Sequence, residues 1–321
     1  MMNKLILILT IVLLVTCILP AGNTAGFEFL RTDFSARSAA LGSAFITVRG
    51  DLNGLNLNPA GLAFLKNRQF VFNYTNYLID INGGMAAYSQ QVPYLKRVAV
   101  VVTYFDYGQF EETNAFAVNT GRSFSANDFA LAITQADHLD KNFSYGITTK
   151  LAYSRIADYT ASAWLFDFGL IYKATFQSEL YFAVSLQNLG WQLDSFSETS
   201  NVNEPMPTSL NIGVSKKLAH LPLEISFRLQ KLNQQAENWY DRFKRFSIGG
   251  EFRLSEHLHL RLGYNNEQHE SLQSDVTTQG KFAGFSAGIG LFVKSFRIDY
   301  SYSNFEFLGN VHRFGISGSL N

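Results

Sequence analysis

From about residue 68 onward, apolar and polar side chains alternate singly, the period of a strand whose successive side chains point to opposite faces. The last third shows this best. Ala283, Phe285, Ala287, Ile289, Leu291 and Val293 oppose Gly284, Ser286, Gly288 and Gly290, and Ile298, Tyr300 and Tyr302 oppose Arg297, Asp299, Ser301 and Ser303. Leu258, Leu260, Leu262 and Tyr264 oppose His259, Arg261 and Gly263; Leu223, Ile225, Phe227 and Leu229 oppose Glu224, Ser226, Arg228 and Gln230. The periodicity predicts strands at 68–77, 79–90, 97–107, 125–136, 143–156, 162–174 and 179–189. A second set follows at 208–218, 222–232, 243–254, 257–266, 282–293, 295–305 and 310–320. About fourteen strands, an even number, with short joins on one side and long joins on the other, is the plan of an all-β transmembrane antiparallel β-barrel. The long joins are 108–124, 190–207, 233–242 and 267–281, and the short side is expected to be periplasmic. Residues 110–118 are read as loop, with a short hairpin or a further strand as alternatives. A soluble sandwich would also alternate. Against it, the polar faces set Arg, Asp and Glu among Gly and Ser, as a packed polar lumen requires, and Tyr gathers near strand ends.

The first residues change the picture of what is exported. Lys4 precedes an apolar run, residues 5–19, and then Pro20, Ala21, Gly22, Asn23, Thr24 and Ala25, the order of a signal peptide. The run is shorter than the ~20 residues of a spanning helix. Cleavage is expected after Ala25, with Ala21 the alternative. The chain then divides into a signal peptide (1–25), an N-terminal plug or hatch segment (26–67) and an outer-membrane barrel (68–321). Cys17 is the only cysteine and falls in the leader, so no disulfide framework is expected. Leu14, Val15 and Thr16 are bulkier than a lipid-attachment signal prefers. Lys and Arg total 26, matched by 26 Asp and Glu, without a basic stretch, so nucleic acid is not an expected partner. The 29 Phe and 15 Tyr beside only 6 Pro suit strands with an aromatic belt.

Residues 26–67 are dense in small side chains: Ala36-Arg37-Ser38-Ala39-Ala40-Leu41-Gly42-Ser43-Ala44-Phe45, then Asp51, then Asn58-Pro59-Ala60-Gly61-Leu62. Small residues allow close backbone packing, and Asp51, Asn58, Pro59, Ala60 and Gly61 carry turn chemistry. A plug in the barrel mouth is expected, with an exposed periplasmic arm as the alternative. Asp167, Glu224, Arg228, Glu251, Arg253, Arg261, Arg297, Asp299 and Arg313 fall on lumenal faces, where pairing across the lumen outweighs a transport path, because charges away from water need partners. His257 and His259 share a face without a cysteine or an obvious third ligand, so no metal, cofactor or catalytic group is expected.

The stretch from Ala36 to Leu62, with Leu41-Gly42-Ser43-Ala44-Phe45, Asp51 and Asn58-Pro59-Ala60-Gly61-Leu62, resembles the opening of the PorV/PorQ family, itself similar to FadL-type barrels. Asn73-Tyr74-Thr75-Asn76-Tyr77, Thr103-Tyr104-Phe105-Asp106-Tyr107-Gly108 and Phe282-Ala283-Gly284-Phe285 extend the resemblance over nearly the whole mature chain, most like PorQ. The resemblance implies a non-enzymatic outer-membrane component of the type IX secretion system of Bacteroidota. Such a component anchors the surface cargo-attachment complex by protein–protein binding. The implied partners are outer-membrane lipid and PorZ-like, PorU-like sortase and PorV-like subunits. Phe124, Trp191, Phe196, Trp239 and Tyr240 in the long joins are candidate contacts, since buried aromatics carry interface energy; an interfacial belt is the other reading of Trp191 and Trp239. A FadL-like transporter of a hydrophobic small molecule is the alternative function, and it predicts an apolar cavity beneath the plug. An outer-membrane hydrolase would need a nucleophile and a His brought together.

Overall fold

The alternation closes on itself. In the computed structural model, which describes residues 26–196, 204–236, 238–272 and 282–320, fourteen strands form one antiparallel closed barrel. They are β1 (Arg68–Asn76), β2 (Asn82–Val92), β3 (Lys96–Thr113), β4 (Asn119–His138), β5 (Phe143–Ile156), β6 (Tyr159–Lys173) and β7 (Leu180–Asp194). β8 (Ser209–Lys217), β9 (Leu223–Leu229), β10 (Phe246–Arg253), β11 (Leu258–Asn265), β12 (Phe285–Val293), β13 (Phe296–Asn304) and β14 (Asn310–Leu320) complete it. Each strand pairs with its sequence neighbours, and β1 meets β14 with Arg68 opposite Leu320, Phe72 opposite Ile316 and Asn76 opposite His312. Closure leaves no edge, so every ladder group has a partner where lipid offers none. The expected leader, 1–25, lies outside the described residues.

The sense of the alternation separates a barrel from a sandwich. On β1, Phe72 is 56% exposed while its neighbour Asn73 is 0% exposed. Tyr74, Leu151, Trp164, Ile298 and Ile316 also face outward, whereas Thr75, Asp167, Arg261 and Asp299 are buried. A water-soluble core would reverse this. Apolar side chains outward and polar ones inward suit lipid outside and a packed lumen within.

Two departures from the sequence expectation concern length. Residues 108–124 were expected as loop, but β3 and β4 continue pairing past the barrel proper, with Phe110 opposite Phe124 and register shifts between Asp106/Gln109 and Glu111/Thr113. The two rings stack at 5.4 Å, which holds the hairpin together and leaves only residues 114–118 as the turn. Likewise β7 runs to Asp194 because Trp191 pairs opposite Trp164. The joins 93–95, 139–142, 174–179, 218–222, 254–257 and 294–295 lie at one end, with both barrel termini; the other end carries the long connections after β7, β9 and β11 together with the short turns 77–81, 114–118, 157–158 and 305–309. The join after β9 holds a 3-10 helix, Trp239–Lys244, and the join after β11 begins with a helix, Asn266–Leu272.

Residues 26–67 lie inside this wall. Ser35, Asp51 and Asn58 each cap a short helical turn by accepting a backbone N–H, from Ser38 at 3.1 Å, Asn53 at 3.0 Å and Ala60 at 3.0 Å. These caps satisfy donors that have no strand partner. Asn58-Pro59 is thus a helix start, with Pro at the first helical position where its missing N–H costs nothing. Ala36, Leu41, Ile46, Leu52 and Leu62 are buried, and Phe34 meets Phe105 of β3 edge-on at 5.5 Å. The wall yields where the segment touches it: a Cβ on Gly169 would fall 2.0 Å from Asn58 Oδ1, and one on Gly146 2.3 Å from the Pro59 carbonyl carbon. Gly42 turns with φ +63° against the Tyr264 backbone.

Two outcomes are expected. Phe72→Arg places a cation in mid-strand against lipid and should cost about 2–4 kcal/mol of barrel stability, read by urea titration in bilayers. Gly169→Val should leave the barrel heat-modifiable on gels yet open residues 26–67 to protease, because the added side chain collides with the Asn58 cap.

Candidate functional site

The few charges of residues 26–67 meet the lumenal charges of the barrel in a closed ring. Arg37 reaches Glu251 of β10 with both Nε, at 3.0 Å, and Nη2, at 2.9 Å. Glu251 accepts from Arg261 Nε of β11 at 2.7 Å. Arg261 Nη1 donates to Asp299 of β13 at 2.7 Å, and Asp299 accepts Arg297 Nε at 2.7 Å. Arg297 Nη2 lies 2.8 Å from Asp51, which bonds back to Arg37. Signs alternate around all six members. A second bridge runs from Arg49 through Glu224 to Arg253, at 2.7 and 3.0 Å. Within the wall Lys150 of β5 pairs with Asp167 of β6 at 2.6 Å. Arg228 and Arg313 hold the segment by its backbone, donating to the carbonyls of Ser43 at 2.9 Å and Asp33 at 2.7 Å.

Arg37, Arg49 and Asp51 were not singled out from the sequence as partners of the barrel charges. The signal lay in their being rare charges in a segment otherwise small and apolar. Burial by itself would raise the Asp51 carboxyl, but the Arg297 and Arg37 guanidiniums and the Asn53 N–H outweigh it and hold it well below the ordinary carboxylate range. A carboxylate depressed on folding stabilises above its unfolded value, about 3.9, and loses that contribution only as pH falls toward the folded one.

Turning to the sequence-selected residues, Asp51 belongs to the ring, and Asn58, Pro59 and Ala60 face β5 and β6. Gly61 is needed because the Val48 carbonyl oxygen stands 2.5 Å from where its Cβ would be. The five candidate contact aromatics do not gather in one place. Phe124 is stacked in the β3–β4 hairpin. Trp191, expected in a loop, sits on β7 beside Trp164 and Phe166, at 5.9 and 6.1 Å, on the outward face. Phe196 packs against the inner apolar cluster. Only Trp239 and Tyr240 project together from a join, 76% and 50% exposed. Phe243, not among the candidates from the sequence, joins them at 51% exposure, with its ring 6.1 Å from Trp239. Its spacing four residues after Trp239 was the available signal.

Chemistry that would make an enzyme is sparse. Ser144 Oγ and His138 Nδ1 are 2.8 Å apart, but Ser144 is buried and the imidazole packs edge-on against Phe64 at 5.0 Å. His259 stands 3.6 Å from Glu251 and tilts over Phe292 at 4.5 Å. His257 precedes the strand in the turn. Among the described residues no three His, Cys, Asp or Glu side chains converge on one point. At the long-join end a cavity of about 350 Å³ opens above residues 30–57, with mostly polar walls that include Arg31, Asp33, Gln187, Arg228 and Glu267. A narrow void of about 20 Å³ among Phe29, Phe34, Val101 and Ala132 lies deeper.

Removing one partner from a buried ion pair strands the other, at about 3–5 kcal/mol. Asp51→Asn is therefore expected to raise amide exchange throughout residues 26–67 at neutral pH. In the unsubstituted chain, protection there relative to intrinsic amide exchange should stay flat from pH ~7 to ~5 and fall only below the ordinary carboxylate range.

With the geometry established, comparison with known proteins is informative. The sequence matches the family described as Type IX secretion system membrane protein PorP/SprF over residues 66–310. No curated protein matches it. Among solved structures it is similar to the Ralstonia pickettii toluene transporter TbuX (TM-score 0.58, 14% identity, 90% of this chain and 98% of that one). It is also similar to the Pseudomonas putida toluene transporter TodX (TM-score 0.55, 13% identity, 88% and 96%). A third relative in fold is the CymD monoaromatic hydrocarbon channel (TM-score 0.56, 11% identity, 93% and 99%). At these identities the likeness is one of fold, a FadL-like outer-membrane barrel. The family match covers most of the barrel, and the chain belongs to the PorP/SprF family of type IX secretion system membrane proteins.

Proposed function

We propose that this barrel is a non-enzymatic anchoring subunit of the type IX secretion system, acting in a PorQ-like way: a rigid plugged cylinder that presents its long-join end to partner proteins. The carrying observation is the ion-pair ring, which ties residues 26–67 to three strands at once. A segment fixed so firmly suits a scaffold better than a gate. In this reading the short turns are periplasmic and the Trp239, Tyr240 and Phe243 cluster faces outward as the contact anchor. The proposed partners are a PorZ-like protein, a PorU-like sortase and a PorV-like barrel, with lipid around the wall.

The alternative, a transporter of a hydrophobic small molecule, draws support from the FadL-like fold. It calls for an apolar chamber beneath residues 26–67. The cavity above residues 30–57 is instead lined mainly by charged, amide and hydroxyl side chains, and the void among Phe29, Phe34, Val101 and Ala132 offers only about 20 Å³, roughly room for one water.

The test is affinity isolation of the tagged full-length protein from outer membranes in mild detergent. The expected companions are the sortase-like and PorZ-like subunits. Trp239→Ala/Tyr240→Ala/Phe243→Ala should reduce their recovery at least about tenfold, the scale of losing a central aromatic anchor, while barrel mobility on gels stays unchanged. Recovery of a clean monomer with bound lipid would favour the transporter.

A further inference from the structure

We propose that the cavity at the long-join end is a binding site for a small hydroxyl-rich carboxylate, such as a sugar acid, with Arg228 supplying the charge that recognises it. The inference does not depend on the anchoring role. It begins with an asymmetry among the lumenal arginines. Arg37, Arg49, Arg253, Arg261 and Arg297 all pair with carboxylates, whereas Arg228 and Arg313 do not; Arg313 donates to the Asp33 carbonyl and the Ser303 hydroxyl and lies outside the cavity lining, which Arg228 joins. Arg228, only 7% exposed, has neutral acceptors alone: Nη1 donates to the Ser43 carbonyl and Nη2 to Asn211 Oδ1, both at 2.9 Å. Nε has no acceptor. A guanidinium desolvated and fixed by neutral groups is a cation waiting for an anion, since buried charge is costly until it is paired.

The other charges of the wall do not supply one at bonding range. Lys231 is paired with Glu267 at 2.7 Å. Arg31 is paired with Glu28. The Asp33 carboxylate accepts from the hydroxyls of Ser38 and Ser43, at 2.5 and 2.7 Å, and from the Ser35 N–H at 3.1 Å. It offsets part of the positive field without forming a pair with Arg228. With Arg31 neutralised by Glu28 and Lys231 by Glu267, the Arg228 guanidinium is the cation of the lining without a bonded carboxylate, and Asp33 is the nearby countercharge that does not reach it.

The rest of the lining fixes the ligand's other chemistry. Asn56, Gln187, Gln230, Asn265 and Gln268 contribute amides, and hydroxyls stand between them; apolar side chains are few. Amide side chains offer donors and acceptors together, which matches groups that both donate and accept, as hydroxyls do. Gln187, Gln230 and Gln268 already donate within the wall, but a hydrocarbon would still leave the buried Arg228 guanidinium without an anion. The volume, about 350 Å³, is at the small end of ligand sites, which run from roughly 300 to 1,000 Å³.

The test is calorimetric titration of the detergent-purified full-length protein with glucuronate, in parallel with glucose, which lacks the carboxylate, and hexanoate, which lacks the hydroxyls. Glucuronate should bind saturably, with glucose and hexanoate each at least about tenfold weaker. Arg228→Gln should weaken glucuronate by a similar factor. Because Arg228 also holds the Ser43 carbonyl, Ser271→Trp at the rim provides a second variant that blocks entry and leaves the guanidinium untouched; it should abolish binding. No saturation by about 10 mM glucuronate, equal binding of hexanoate, or unchanged affinity in both variants would overturn the assignment.

Discussion

Charge that has left water must be paired, and in this barrel the pairing builds the interior. Arg37 and Asp51 have no carboxylate or guanidinium of their own segment to satisfy them fully; they complete a ring whose other members stand on β10, β11 and β13. Residues 26–67 carry little regular structure, only single helical turns held by Ser35, Asp51 and Asn58 caps. Such a segment does not hold its shape alone. The ring gives it a fixed seat, and the seat in turn decides which strand positions must be glycine, at Gly146 and Gly169, to let it approach.

The same constraint separates this lumen from one built to pass apolar cargo. The structural neighbours include a toluene transporter and a monoaromatic hydrocarbon channel, and the cylinder and its topology are theirs. The interior is not read from the fold, however, because one fold hosts many functions and function resides in the site. Here the inward positions of β10, β11 and β13 are ionic, those of β2–β6 are filled mainly by small and apolar side chains packed on residues 26–67, and the cavity above residues 30–57 is lined mainly by charged, amide and hydroxyl groups. A filled, charge-locked interior directs attention to the outer ends, where Trp239, Tyr240 and Phe243 form an exposed aromatic group on a capped turn. Aromatics on a capped turn lose little backbone freedom on binding, which is why the proposed partner contact is assigned to them.

Strand identity was legible residue by residue because the period of two is a local property. Phe72 and Asn73 announce opposite faces wherever the strand sits, and the count of such runs fixes an even, closable barrel. The polarity of the lumenal face was likewise visible, since Arg261, Arg297 and Asp299 occupy the positions between Leu, Ile and Tyr. A type IX secretion barrel was likewise legible at the level of the system, but the family match, to PorP/SprF, spans residues 66–310 and leaves out the small-residue opening on which the PorV/PorQ resemblance rested.

What the chain alone left undecided was who meets whom. Arg37 and Glu251 stand 214 residues apart, and their contact exists only after β1 closes on β14 and the segment threads the lumen; no local pattern encodes it. Trp191 could be assigned to a loop from its Gly and polar neighbours, yet pairing opposite Trp164 extends β7 past it, because a partner strand of sufficient length overrides local propensity. Arg228 looked like its lumenal counterparts in sequence. Only the three-dimensional register shows that its neighbours are carbonyls and amides rather than carboxylates, since the identity of a buried charge's partner is a property of packing and not of spacing.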